Sequence, residues 1–115
     1  MKKKVKILFV CTYNKMRSRT AEELYKHDNR FQVKSAGVDE DAGTQVNLEL
    51  LTWADYIVVM EEFHLRWIQQ NYPVFSAHGQ IHCLGIPDYY DFMDPGLASL
   101  IRDKFEALVK TEMAD

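Results

Sequence analysis

Cys11 and Arg17 are separated by five residues and followed at once by Ser18, in the stretch CTYNKMRS. Each of the three side-chain types has a use in phosphoryl chemistry. A cysteine thiolate is a strong nucleophile. Arginine offers a planar fork of donors that meets two oxygens of a phosphate together, which lysine cannot do. A serine hydroxyl can give its hydrogen to the sulfur, supporting it as a thiolate and later as a leaving group. Residues between a strand end and a helix start can curl so that successive backbone N–H groups point inward, a nest for an anion that also favours ionised sulfur. The bland alternative is a cysteine that only fills a strand end, since free cysteine is among the most buried residue types. Against it stands Arg17, a cation at the positive end of a helix. A cation placed there, beside a thiol, marks a position for something negative.

That chemistry needs a strand, a tight loop and a helix in order, and the flanking residues offer them. Val5–Cys11 is apolar without clean alternation, the pattern of a strand covered on both faces. From Arg17 onward Ala21, Leu24 and Tyr25 recur at helical spacing until Asp28-Asn29 ends the pattern. Phe31–Val38 reads as a second strand closed by Gly37, followed by a polar loop, Asp39–Thr44, and a short helix, Val46–Thr52. Tyr56–Met60 is a third, buried strand. The helix after it carries Phe63, Trp67 and Ile68 as a core stripe and stops at Pro73. Gln80–Gly85 makes a fourth strand, IPDYYDFMDPG an acidic, aromatic loop, and Leu97–Val109 a final amphipathic helix.

Strands alternating with helices predict a single-domain α/β fold, residues 1–115, a three-layer sandwich with a four-stranded parallel sheet and helices on both faces. Ligands bind such sheets beyond the carboxyl ends of the strands. Cys11, Ser35 to Gly37, Glu61 and the loop after Gly85 are therefore expected along one edge.

Composition narrows the remaining classes. The 115 residues, 47% apolar and 27% charged, suit one packed globular domain. A net charge of −3 argues against a nucleic-acid partner, which needs a basic face. The apolar run Ile7–Cys11 is too short for a membrane span or a signal-peptide core although Lys2, Lys3 and Lys4 precede it, so a cytoplasmic location with no membrane partner is expected. Cys11 and Cys83 lie too far apart for a secreted disulfide framework, and Cys83 is expected buried in its strand. His78 and His82 stand near Cys83, but Gly79 breaks the helix that would align the two rings and no fourth ligand is evident, so no metal is expected. His27 and His64 read as solvated helix residues.

Beyond these patterns, LFVCTYNKMRSRTAEELY resembles the signature of the low-molecular-weight protein tyrosine phosphatases, C-x-x-N-x-x-R-S followed by an alanine-glutamate pair, here Ala21 and Glu22. The resemblance continues through SAGV at Ser35–Val38, ADYIVVMEEFHLR at Ala54–Arg66 and IPDYY at Ile86–Tyr90. It implies a phosphomonoesterase without cofactor or metal, acting in two steps on a phosphorylated protein or a small phosphomonoester. Cys11 would attack phosphorus in line. Arg17 and the loop Thr12, Tyr13, Asn14, Lys15, Met16, Arg17 and Ser18 would bind the phosphate. An aspartic acid would protonate the leaving group and then activate water. Asn14, with Ser18 and Ser35, would hold the loop.

The family's acid lies in an Asp-Pro-Tyr-Tyr loop, whereas this chain has Asp88-Tyr89-Tyr90 without the proline, then Asp91 and Asp94-Pro95. Asp88 is expected as the acid because Ile86-Pro87 and the tyrosines best match that loop, with Asp91 the alternative and Asp94 a helix cap. Tyr13, Tyr89 and Tyr90 are expected as an aromatic wall for an aryl phosphate. Three positions depart from the family pattern. Met16 replaces a second cysteine that can protect the nucleophile, Arg19 replaces a proline and adds charge at the rim, and Glu61 replaces an aspartate. The segments Gly37–Thr52 and Gly85–Asp94 are also shorter than usual. Two other readings stay open. One is a non-catalytic phosphate-binding or regulatory module. The other is a thiol-dependent arsenate reductase, for which Cys83 is the only second thiol.

Overall fold

The computed structural model describes residues 3–75 and 80–113. Strand β1 (Val5–Cys11) leads into helix α1 (Arg17–Tyr25), β2 (Phe31–Gly37), α2 (Leu48–Trp53), β3 (Tyr56–Val59) and α3 (Glu62–Asn71). A short 3-10 turn (Pro73–Phe75), β4 (Ile81–Cys83) and α4 (Pro95–Leu108) complete the order, with α4 running on into a π turn, Val109–Met113. The sheet is parallel throughout, in the order β2-β1-β3-β4, with Cys11 opposite Gly37, Val10 opposite Val59 and Val59 opposite Cys83.

β1 is central and buried on both faces, so its alternate side chains enter two separate cores. Ile7, Phe9 and Cys11 pack with Ala21 and Tyr25 of α1 and with Leu97, Ile101 and Phe105 of α4. Leu8 and Val10 pack on the opposite face with Leu51 of α2 and Ile68 of α3. Helices thus cover both faces, as the alternation predicts. The first core is strongly aromatic, with Phe105 edge-on to Phe9, Tyr25 and Phe31 at centroid separations of 4.8 to 5.4 Å. Complete burial of such a ring stabilises the fold by roughly 1.5–3 kcal/mol. The Tyr25 hydroxyl donates to Glu106 at 2.9 Å; burial and that bond hold the phenol well above its usual range. Arg30 bridges Glu106 and Asp28, and its guanidinium holds the Asp28 and Glu106 carboxyls below their ordinary values.

Helix ends explain where sequence and structure part. Asn47 caps α2 by accepting from the Leu50 amide, so the helix begins at Leu48. Val46 stays outside it, buried, with its N–H on the Gly37 carbonyl. Asp94 caps α4, accepting from the amides of Gly96 (2.7 Å) and Leu97 (3.3 Å), and Pro95 at the first helical position needs no hydrogen bond. β4 is an edge strand of three residues, and Cys83 on it is exposed, not buried. The α3 stripe is also rotated from expectation. Ile68 and His64 form its buried line, while Phe63 is 42% exposed. His64 is fully buried rather than solvated, and His27 lies on the surface as expected. His78 and Gly79 lie outside the described residues. Among the described residues, no group of three His, Cys, Asp or Glu is placed to hold a metal, and no helix is long and apolar enough to cross a membrane.

Candidate active site

The turn from β1 to α1 is held from outside by the chain that follows β2. The amides of Val38, Asp39 and Gly43 donate to the carbonyls of Cys11, Thr12 and Tyr13, at 3.0 to 3.1 Å. With no cis peptide in the chain's described part, each following N–H points the opposite way, away from that outer chain. α1 then starts with neither a side-chain cap nor an acidic residue in its first turn. Its N-terminus keeps the positive field that binds anions.

This packing depends on Gly37. A Cβ there would stand 2.5 Å from the Thr12 carbonyl oxygen and 2.8 Å from the Asn14 nitrogen, inside any permitted contact. Asn14 itself has φ of 56°, the left-handed region that asparagine tolerates better than most residues. Its side chain is engaged on every side. Nδ2 donates to Ser18 Oγ and to Ser35 Oγ, both at 2.9 Å, and Oδ1 accepts from the Thr44 amide at 3.2 Å. Ser35 in turn donates to Glu22 at 2.6 Å.

The direction of this network matters. An amide nitrogen only donates, so Ser18 Oγ accepts from Asn14 and its own hydrogen is left for Cys11 Sγ, 3.0 Å away. Ser18 Oγ thereby keeps a hydrogen that Cys11 Sγ, in a residue only 3% exposed, can accept in an orientation set from the far side of the loop.

Arg17 is 2% exposed. Its Nη1 donates to Glu61 Oε1 at 2.5 Å and to the Ile86 carbonyl at 2.8 Å. Glu61 is the N-cap residue of α3, two positions past β3. Ile86 is brought across by the turn after β4, where Gly85 adopts φ of 69° and the Ile86 amide donates to Met60. The other edge of the guanidinium is more loosely held: Nη2 reaches Thr12 Oγ1 at 3.4 Å and Nε lies 3.6 Å from Asp88 Oδ1.

Cys11, Thr12, Tyr13, Lys15, Met16 and Arg17 line one cavity of about 360 Å³ together with Asp88, Tyr89, Tyr90 and Asp91 from the loop before α4. That loop is tied to α1 by the Met93 amide, which donates to Thr20 Oγ1 at 2.9 Å. Tyr90 is half-buried against the aromatic core, whereas Tyr89 is 84% exposed. Both candidate acids, Asp88 and Asp91, lie at this mouth. Asn14 and Ser35 stand behind the loop. Arg19 does not reach the cavity rim: it lies along a separate groove with Glu22, Glu23, Lys26 and Lys34. Cys83 lies two strands from Cys11, a separation on the order of 10 Å. Both thiols are free, and partial desolvation beside Glu62 pushes the Cys83 thiol up.

Two contacts escape the sequence patterns. Gly37 is expected along this edge and lies in the SAGV match, but nothing in the sequence signals its close approach to Thr12 and Asn14. His64 sits at the third position of α3, where its Nδ1 accepts the Glu61 amide hydrogen at 3.0 Å and Nε2 lies 2.9 Å from Thr12 Oγ1. Burial first, and the Arg17 charge second, push its imidazole down to about 3, so the ring is neutral at physiological pH.

No protein-family model matches the sequence, and no curated protein matches it at a significant level. Solved structures do match. The low molecular weight protein tyrosine phosphatase SP-PTP from Streptococcus pyogenes superposes with a TM-score of 0.78 at 17% identity, over 96% of this chain and 95% of that one. Vibrio vulnificus Wzb in complex with benzylphosphonate gives 0.73 at 26% identity, over 92% and 97%. The YwlE arginine phosphatase from Geobacillus stearothermophilus gives 0.67 at 24%, over 95% of each chain. The family resemblance read from the motifs and the architecture agree: this chain has the three-layer α/β fold of the low-molecular-weight protein tyrosine phosphatases.

Proposed function

We propose that the chain is a cysteine-dependent phosphomonoester hydrolase, acting on phosphotyrosine or a related aryl phosphate. The observation that carries this reading is the pairing, in one cavity, of a Ser18-supported Cys11 sulfur with the less engaged edge of a buried Arg17.

In the proposed reaction Cys11 Sγ attacks phosphorus as the P–O bond to the leaving group breaks. The equatorial oxygens are met by Arg17 Nε and Nη2 and by loop amides of Thr12 to Arg17. Glu61 and the Ile86 carbonyl hold Nη1 and thereby fix the plane of the fork. Asp88 delivers a proton to the leaving oxygen. The same carboxylate then takes a proton from water, whose oxygen attacks phosphorus and releases Cys11 with orthophosphate. Ser18 supports the sulfur in both steps. Tyr13, Tyr89 and Tyr90 form the wall for the aryl ring.

Asp88 and Asp91 at the mouth favour a second substrate on the same machinery, a phosphorylated guanidinium such as that implied by the arginine-phosphatase neighbour, since a cationic group would meet two carboxylates. Hydrolysis of p-nitrophenyl phosphate that disappears in Cys11→Ser supports the hydrolase. Orthophosphate binding without turnover in the unaltered chain would instead support a phosphate-binding module. Comparing phosphotyrosine with phosphoarginine peptides separates the two substrate classes.

A further inference from the structure

His64 and Thr12 form a contact outside the machinery just described. His64 is fully buried at the N-terminus of α3, and its Nδ1 accepts the Glu61 backbone N–H. A ring nitrogen that accepts an amide hydrogen carries none of its own, so the hydrogen of the neutral ring lies on Nε2. Nε2 is 2.9 Å from Thr12 Oγ1 and is therefore the donor in that pair. Arg17 Nη2, which can only donate, approaches the same oxygen at 3.4 Å. Thr12 Oγ1 thus receives hydrogen bonds from two buried side chains, and its own hydrogen is directed to neither. Thr12 lines the cavity that holds Cys11.

We infer that His64 is a positioning residue: by filling the acceptor side of the Thr12 hydroxyl, it turns the Thr12 O–H toward a phosphoryl oxygen bound over Cys11. This inference rests on the hydrolase reading and adds a side-chain donor to the backbone donors of the loop. The N-terminus of α3 then serves the cradle twice, with Glu61 holding Arg17 and His64 holding Thr12. The hydrogen bond strengthens as charge builds on the oxygen, so its main effect falls on kcat rather than KM.

The test uses Thr12→Val, His64→Phe, their double variant and His64→Gln, whose amide nitrogen can replace Nε2 as the donor. Melting temperatures are recorded for each. Thr12→Val is nearly isosteric and carries the test even if His64→Phe fails to fold. Thr12→Val and His64→Phe are each expected to lower kcat for p-nitrophenyl phosphate about tenfold and to weaken orthophosphate binding by calorimetry. The double variant is expected to be no worse than about threefold beyond either single, and His64→Gln to recover most of the loss. A Thr12→Val protein within twofold of the unaltered one, or single losses that multiply to about a hundredfold, would overturn the inference. The two readings fail separately. An unaltered protein that binds orthophosphate but lacks Cys11-dependent turnover defeats the hydrolase, and the binding cycle alone then decides the role of His64. An unaltered protein that neither binds nor turns over defeats both.

Discussion

Behind the floor of the cavity nearly every polar side chain is tied to a neighbour, while at its mouth few are. Asn14, Arg17 and Ser18 are no more than 4% exposed and are bound to residues from β2, the N-cap of α3 and the turn after β4. Asp88, Tyr89 and Asp91 stand in solvent on one loop, anchored near its end by the bond from the Met93 amide to Thr20. In the proposed reaction the difference separates two tasks. Stabilising a fixed charge distribution on phosphorus rewards donors that need no reorganisation. Recognising the body of a substrate rests on an exposed segment that can change without disturbing the core.

Breaking the floor is expected to cost most. Cys11→Ser removes the proposed nucleophile and should abolish p-nitrophenyl phosphate hydrolysis. Arg17→Lys should lower kcat/KM by about a thousandfold, since a point charge cannot replace the fork and Glu61 loses its partner. Gly37→Ala forces β2 off the loop and should destabilise the protein by ~1–3 kcal/mol in urea unfolding, with activity falling too. At the mouth, Asp88→Asn is expected to lower kcat/KM, which reports the first step, by about a hundredfold for phenyl phosphate and by clearly less for p-nitrophenyl phosphate, whose leaving group needs little protonation. Asp91→Asn should change either rate by less than about threefold; the reverse ranking would exchange their roles. Tyr89→Ala, at the most exposed position of the wall, should raise KM for aryl substrates only about threefold.

His64 offers a comparison by pH. The native ring is held neutral with its value lowered to about 3, while the unfolded ring titrates near 6.5. Between those values the unfolded chain binds a proton that the native one does not, so stability rises with pH across the window and is lost as acid is added. Between pH 7 and pH 5 the loss is on the order of 2 kcal/mol, and the stability of His64→Gln should be correspondingly flatter over that range.

Much of the scaffold was legible because its strands are short apolar runs bounded by loop residues. β1 has the expected limits, and the parallel order follows from alternation with helices. The spacing of Cys11, Arg17 and Ser18 likewise placed one loop at a strand-to-helix junction. What escaped depends on distances between segments remote in sequence. A helical pattern identifies apolar residues but not the rotation of the helix on the sheet, so Phe63 read as core and His64 as solvated. Nothing local says that β4 is the edge strand, and Cys83 therefore read as buried. Gly37 shows its importance only against the Thr12 carbonyl. Asp88 and Asp91 share one exposed loop and one cavity, and their ranking rests on chemistry that proximity alone does not express.

The most direct measurement is to quench the protein in acid during p-nitrophenyl phosphate turnover, with Asp88→Asn used to slow release, and map the bound phosphoryl group by peptide mass. The expected result is a single phosphoryl group on the peptide carrying Cys11, absent from Cys11→Ser. Turnover that persists in Cys11→Ser, or a phosphoryl group on any other residue, would contradict a nucleophilic Cys11.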